Sequence, residues 1–273
     1  MLDGKNVLIT GAGRGFGRYL TGVLAGSGAR VAICSRNEEE LKETVKQAGP
    51  DKVFYITADM GRKEDIDRLY DLVLDRFKTL DVVVNNAGIQ GPVGRFDDND
   101  WDEWQNVFNI NLFGTAYSMK KAIGIFKEQH SRGKIINMSG GGATSSRPNF
   151  SGYAAAKTAV VRLSEVAADE NREFGIDINS IAPGVMNTDM LKCIIDAGME
   201  RSGEREYGIA ASQKEGDTGS LIKPARLIEF LASDASNGIS GKLISAVWDD
   251  WDKDGFGDKC GDKDIYTLRR TVE

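Results

Sequence analysis

The chain has 273 residues, a net charge of −6, 41% hydrophobic residues and 28% charged ones. That length suits one large α/β domain or two small ones, with enough apolar content for a sizeable core. The acidic balance argues against a general nucleic-acid binder, and no apolar run is long enough to span a bilayer.

The first element is the apolar run Asn6-Val-Leu-Ile-Thr10. It reads as a short buried strand ended by glycine. Met1-Leu-Asp-Gly-Lys enters it almost at once, so no signal peptide is expected. Gly11, Gly13, Gly15 and Gly17 follow on alternate positions, and a helical pattern starts beyond them. Glycines allow a sharp turn and a close ligand approach. A helix N-terminus there offers free N–H groups and a favourable dipole to a pyrophosphate. The common pattern G-x-G-x-x-G would need a glycine at Phe16 and does not fit. T-G-x-x-x-G-x-G, on Thr10, Gly11, Gly15 and Gly17, does.

Strands are expected at 6–10, 30–35, 53–57, 81–85, 134–138, 176–181 and 242–246. Amphipathic helices are expected at about 15–27, 37–48, 63–78, 100–129, 152–174 and 224–233. This alternation predicts an α/β fold, a Rossmann-type doubly wound parallel sheet of about seven strands with helices on both faces. Ligands then bind beyond the C-terminal strand tips, at the switch point. A single domain over 1–273 is expected. Residues 189–223, polar and Gly-rich, read as a lid or substrate loop. The tail from 247 to 273 is atypical.

The second strand ends at Ser35, followed by Arg36, with Arg14 inside the glycine turn. Two guanidinium groups near an adenosine ribose suit a 2′-phosphate, so NADP is favoured and NAD stays possible. Two solvated arginines are the plain alternative. Asp59 closes the third strand. It could accept from an adenine amine, or cap the helix starting near Arg62. Asn85-Asn-Ala-Gly88 follows the fourth strand; small residues there let a cofactor lie across the tip, or simply turn the chain.

His130, the single histidine, lies in a polar turn and is expected at the surface. Cys34, Cys193 and Cys260 have no metal-ligand spacing, so reduced thiols and a cytoplasmic setting are expected, with no metal. Tyr153 and Lys157 form Tyr-x-x-x-Lys, which places ammonium and phenol on one helix face. A positive charge there favours phenolate and suits proton exchange with a substrate hydroxyl. Tyr117 and Lys121 repeat the spacing but read as ordinary helix surface.

Together these residues resemble the short-chain dehydrogenase/reductase family, over nearly the whole chain to about Ala246. The resemblance implies a coenzyme turn over Thr10–Gly17, including Phe16. It implies an adenine contact at Asp59 with Met60 beside it, and a coenzyme wall at Asn86, Ala87 and Gly88. Asn111 matches the Asn that bends a helix and holds a relay water. Tyr153 and Lys157 match the acid/base Tyr and its Lys, which also contacts the nicotinamide ribose. Pro183, Gly184 and Thr188 match P-G-x-x-x-T, whose Thr contacts the carboxamide. A homodimer or homotetramer on the helices holding Asn111 and Tyr153 is implied as well.

One departure stands out. The family places a carbonyl-polarising Ser thirteen residues before the Tyr, and that position is Gly140. Ser139 is one residue off, so its hydroxyl should face away. Three readings stand. The loop after it lets Ser139 or Thr144 reach inward, backbone N–H groups of the triple glycine substitute, or the carbonyl chemistry is lost. The tail carries Asp250-Trp-Asp-Lys-Asp-Gly255, the start of a calcium loop, but Gly261 stands where a bidentate Glu belongs. A polar tail near the pocket or a subunit interface, with Trp248 and Trp251 as packing anchors, is the other reading.

The expected activity is hydride transfer between NADP(H) and a carbonyl or secondary alcohol of a small, polar substrate. Lys192, Arg201, Arg205, Lys214, Arg269 and Arg270 hint at an anionic group, although surface charge explains them equally well. A nucleotide-binding sensor or scaffold without turnover is the alternative class. A sugar-nucleotide epimerase is disfavoured by the short chain and by N-N-A-G.

Overall fold

The computed structural model describes residues 2–213 and 218–270. Seven strands form one sheet: β1 (Asn6–Thr10), β2 (Arg30–Ser35), β3 (Val53–Thr57), β4 (Val82–Asn85), β5 (Lys134–Met138), β6 (Asp177–Ala182) and β7 (Leu243–Ser245). Their order is β3-β2-β1-β4-β5-β6-β7, and each neighbouring pair is parallel. The order reverses between β1 and β4, so the crevice at their C-terminal tips is the switch point.

Side chains alternate across the strands. Val7, Ile9, Val31 and Ile33 pack on one face with Leu20, Leu24, Leu227 and Leu231. Leu8, Ala32 and Val83 pack on the other with Leu69, Tyr70, Val73 and Phe126. The first face is covered by α1 (Gly15–Gly26), α2 (Glu38–Ala48) and α9 (Gly219–Ala232). The second is covered by α3 (Lys63–Phe77), α5 (Thr115–Glu128) and α6 (Ser151–Glu170). Both faces are buried, which is why the strands read as apolar runs.

Three expectations change. The 100–129 helix is present from Trp101 to Glu128, but it holds α4 (Trp101–Phe108), a π-helical stretch over Asn109–Gly114, and α5. A β-carbon at Gly114 would lie 2.2 Å from the Met60 carbonyl oxygen, so the rod passes too close for any side chain. The described residues of 189–223 are mostly helical, not a loop: α7 (Asp189–Ser202) and α8 (Glu204–Ala211) lie there, and α9 starts at Gly219 with Pro224 inside. Its loop-like composition reflects glycines at the breaks, Gly198 at φ +75° and Gly203 at φ +86°. Ile194 and Ala210 of this segment pack on Val93 and Phe150 in a small separate cluster. Lys214 lies outside the described residues. Third, the tail is folded: α10 (Phe256–Cys260) buries Phe256 and Cys260 in the main core. Among the described residues, no helix is long and apolar enough to cross a membrane.

Candidate active site

A cleft of about 1630 Å³ opens at the switch point. Its first half is built by the glycine turn. Gly11 has φ +68°, and a β-carbon there would sit 2.6 Å from the Ala87 Cα. One at Gly17 would meet the Gly11 carbonyl at 2.4 Å, and one at Gly13 the Ser35 hydroxyl at 2.6 Å. At Gly11 and Gly17 the crowding atoms include backbone, so a larger residue would have to move it, whereas at Gly13 they belong to the Ser35 and Glu40 side chains. The Thr10 hydroxyl accepts from the N–H groups of Asn86 (3.1 Å) and Ala87 (3.0 Å). Asn86 Nδ2 donates to the carbonyls of Thr10 (2.9 Å) and Gly11 (3.0 Å). The two loops are thus tied into one rigid floor. The helix α1 begins without a side-chain cap, leaving first-turn N–H groups for an anion.

Not every expected coenzyme contact is placed alike. Phe16 is buried in the core cluster with Leu20 and also lines the cleft. Met60 is buried with its sulfur 3.8 Å from Cys34 Sγ. Arg14 is not aimed alone at a ribose: its guanidinium pairs with Glu40 (3.6 Å) and Asp189 (3.5 Å). Arg36 stands exposed at the β2 tip, with Ser35 beside it. Asp59 Oδ1 accepts from the Gly61 N–H at 2.8 Å. That is a local turn, not the cap of α3, whose N-cap is Arg62. Asn86, Ala87 and Gly88 line the cleft from one side, and Pro183, Gly184 and Thr188 from the other. Gly184 has φ +83°, where its missing β-carbon would lie 2.7 Å from Val247.

The second half is built on α6. Tyr153 and Lys157 are both buried on its cleft-facing side. Lys157 Nζ donates to the Met138 carbonyl at 2.8 Å and lies 5.7 Å from the Tyr153 ring centre. Burial lowers the ammonium to about 8, because the charged form is desolvated. Burial also raises the Tyr153 phenol; the opposing pull comes from the Arg147 guanidinium. Asn111 lies in the π-helical stretch, fully buried. Its amide clamps Ile89, accepting from the backbone N–H (2.8 Å) and donating to the carbonyl (2.9 Å).

Position 140 explains itself geometrically. A β-carbon on Gly140 would lie 2.5 Å from the Tyr153 hydroxyl oxygen. The phenol oxygen occupies the room that a side chain would take. Ser139 continues the β5 ladder, its N–H donating to the Ile181 carbonyl at 2.8 Å. Its hydroxyl is buried without a partner among the described residues, and Thr144 is exposed.

Three further cleft residues carried no sequence signal. Arg147 donates to Glu206 of α8 through Nη2 (2.7 Å) and Nε (3.1 Å). No motif marks a position six before the Tyr, or pairs it with one 59 residues on. Gln90 lines the cleft, buried, with its Nε2 unpartnered among the described residues. Two of the cations that hinted at an anionic substrate are engaged in ion pairs, while Arg205 lines the cleft. Lys192 pairs with Asp189 (2.8 Å), and Arg269 with Glu165 and Asp264 (2.7 Å each).

The remaining expectations divide. His130 is exposed. Tyr117 and Lys121 both bind Asp67, at 2.7 and 3.2 Å. Trp251 is an anchor, its Nε1 donating to the Ala246 carbonyl (3.0 Å) against Phe230. Trp248 is not: it is 85% exposed at the cleft mouth. Among the described residues, no three His, Cys, Asp or Glu side chains converge on a metal position, and Asp250 pairs with Lys253 at 2.8 Å.

An open parallel sheet with a glycine-floored cleft at its switch point defines a dinucleotide-binding fold of the Rossmann type. The family model for short chain dehydrogenases matches residues 5–197. The short chain dehydrogenase/reductase astE of Aspergillus oryzae is 34% identical over 253 residues, covering 89% of this chain and 94% of that protein. Among solved structures, levodione reductase is similar with a TM-score of 0.81 and 30% identity, over 90% of this chain and 96% of that one. The 3-ketoacyl-(acyl-carrier-protein) reductase of Brucella melitensis, complexed with NADH, gives 0.76 and 26%, over 90% and 97%. The chain belongs to the short-chain dehydrogenase/reductase family, whose members are oxidoreductases that bind NAD(P).

Proposed function

We propose that this protein is an NADP(H)-dependent carbonyl reductase or secondary-alcohol dehydrogenase acting on a compact, neutral substrate. The observation that carries the reading is the placement of Tyr153 and Lys157 on one face of α6, on the wall of the cleft that the glycine turn floors. A nicotinamide coenzyme, when bound, supplies or takes up the hydride. The glycine turn fits such a group, since α1 begins there without a side-chain cap and leaves first-turn N–H groups for an anion. Gly11, Gly13, Gly15 and Gly17 would hold it, with Asp59, Asn86, Ala87, Gly88 and Thr188 along its length.

Tyr153 donates its phenol proton to the carbonyl oxygen as the carbon is reduced. In the reverse direction the phenolate takes the hydroxyl proton. A buried phenol with a raised value keeps that proton at neutral pH, which suits reduction. Lys157, fixed by Met138, is placed to hold a ribose and to exchange the proton onward, and Asn111 fixes the backbone beside it. Arg36 supports NADP over NAD, because it is the exposed cation beside the second-strand tip. Arg14, balanced by two carboxylates, adds little.

A neutral substrate is favoured over an anionic one because Arg147 is already paired with Glu206. Ile89, Leu191, Ile194 and Ile209 add apolar wall to the cleft. The same reading includes one domain, a cytoplasmic location supported by three free cysteines, and a homodimer or homotetramer. Exposed Phe113 and Val166, on the π-helical stretch and on α6, support assembly there.

The deciding experiment is NADPH and NADH oxidation against a panel of ketones and diketones, with Tyr153→Phe as control. Turnover that Tyr153→Phe abolishes, while coenzyme binding persists, supports the reading. Turnover that survives the substitution sinks it.

A further inference from the structure

The loop between β5 and α6 carries three consecutive glycines, Gly140, Gly141 and Gly142. Gly140 gives its side-chain space to the Tyr153 phenol. Gly142, at φ +96°, is crowded by α6: a β-carbon there would lie 2.6 Å from the Ala154 Cβ and 3.2 Å from the Arg147 Cβ, while one at Gly141 would only touch Arg147, 3.6 Å from its Cδ. The Arg147 guanidinium then lies 4.0 Å over the Phe150 ring and 5.6 Å from the Tyr153 ring centre. Glu206 grips it from α8, and this pair is mostly buried, at 15% and 21% side-chain exposure. Gly140 thus admits the phenol, and Arg147 approaches the same ring from the loop.

We propose that Arg147 is the positioning residue that sets the charge state of the Tyr153 phenol, and that Glu206 attenuates it. This rests on the reading of Tyr153 as the proton donor. The charged groups around the phenol are few. Lys157 faces it from α6, Arg147 from the loop, and Glu206 from α8 through Arg147; Arg205, Asp189 and Asp249 lie on the same cleft wall. Lys157 lies as near the ring, at 5.7 Å against 5.6 Å, but burial weakens its charge before coenzyme binds. Its ammonium is lowered to about 8 by burial, so it loses charge before an ordinary phenol, near 10, ionises. A guanidinium keeps its charge throughout. At this distance, in a buried corner, it favours phenolate.

The geometry makes a prediction that a purely structural role does not. Arg147→Met and Glu206→Gln break the same ion pair. As a structural latch, the pair would suffer alike from either. As an electrostatic device, the two act oppositely: the first removes the cation, and the second removes the carboxylate that offsets it. The test is the near-ultraviolet absorbance of tyrosinate during alkaline titration of the coenzyme-free protein. Each background is read as a difference against the same protein carrying Tyr153→Phe. The expected result is a midpoint moved to higher pH by Arg147→Met, to lower pH by Glu206→Gln, and nearly restored by Arg147→Lys. Shifts of the same sign in Arg147→Met and Glu206→Gln, or no shift in either, overturn the proposal. Should Arg147→Met fail to fold, Arg147→Lys and Glu206→Gln still decide it, since an unmoved midpoint in Glu206→Gln refutes the attenuation. Turnover by the single variant Tyr153→Phe tests the underlying reading separately, and the titration does not depend on it.

Discussion

Restoring the family's serine at position 140 should harm this protein. Gly140→Ser places a β-carbon 2.5 Å from the Tyr153 hydroxyl oxygen, 3.0 Å from Cε1 and 3.1 Å from Cζ. Ordinary contact begins near ~3.5 Å, so the phenol must retreat by about 1 Å. The backbone of α6 is fixed by its own packing, with Ala156 and Val160 buried on either side of Lys157. The ring therefore has to swing, and it swings away from the corner it shares with Arg147. A misplacement of about 1 Å at a reacting group costs roughly a hundredfold in rate, or about 2.7 kcal/mol of barrier. The assay is kcat and KM for reduction of a responsive ketone by NADPH, with coenzyme affinity measured by fluorescence quenching. Gly140→Ala is the necessary companion, because it adds the β-carbon without the hydroxyl. Both variants should lose turnover similarly while coenzyme affinity holds. An oxyanion-type donor is worth about 10²–10³ in kcat. A gain of that order in Gly140→Ser, with a loss in Gly140→Ala, would refute the reasoning and show that a hydroxyl was missing all along.

Other expectations follow from the same geometry. Lys157 sits at about 8 in the folded protein against 10.5 ordinarily. The folded state therefore binds fewer protons between those values, so stability of the coenzyme-free protein rises with pH across that window and the full penalty applies below 8. Lys157→Met should raise the Tm at neutral pH, by up to about 3 kcal/mol of stability, while turnover collapses; a lowered Tm contradicts this. Lys134 and Asp177 form a buried pair at 3.0 Å, joined by Ser236. Lys134→Met leaves that carboxylate buried and unpaired, and should cost about 3–5 kcal/mol in urea unfolding. Arg36→Asp should weaken NADPH binding roughly tenfold or more with little change for NADH; equal effects on both would remove the NADP assignment. Trp251→Ala should cost about 2 kcal/mol from lost burial, whereas Trp248→Ala, at 85% exposure, should stay within about 0.5 kcal/mol.

What could be read from the chain, and what could not, follows from where each constraint lies. The strands were legible because a sheet buried on both faces demands unbroken apolar runs; β1, β2, β3 and β5 have the expected bounds. The glycine turn was legible because backbone crowding leaves only glycine, as Gly11 against Ala87 shows. Such constraints sit on consecutive residues. The substrate half is written differently. Arg147 and Glu206 are 59 residues apart, and nothing near either names the other. Counting cations between 189 and 223 suggested an anionic substrate, but a count cannot separate a spent charge from a free one. Lys192 is held by Asp189, and the tail's Arg269 by Glu165 and Asp264. The helices α7 and α8 escaped for a related reason: breaks at Gly198 and Gly203 gave them the composition of a loop, and their few buried residues left little periodicity. Position 140 combines both cases. Spacing from Tyr153 reveals that a hydroxyl is missing there. Only the 2.5 Å approach shows that the phenol occupies the gap.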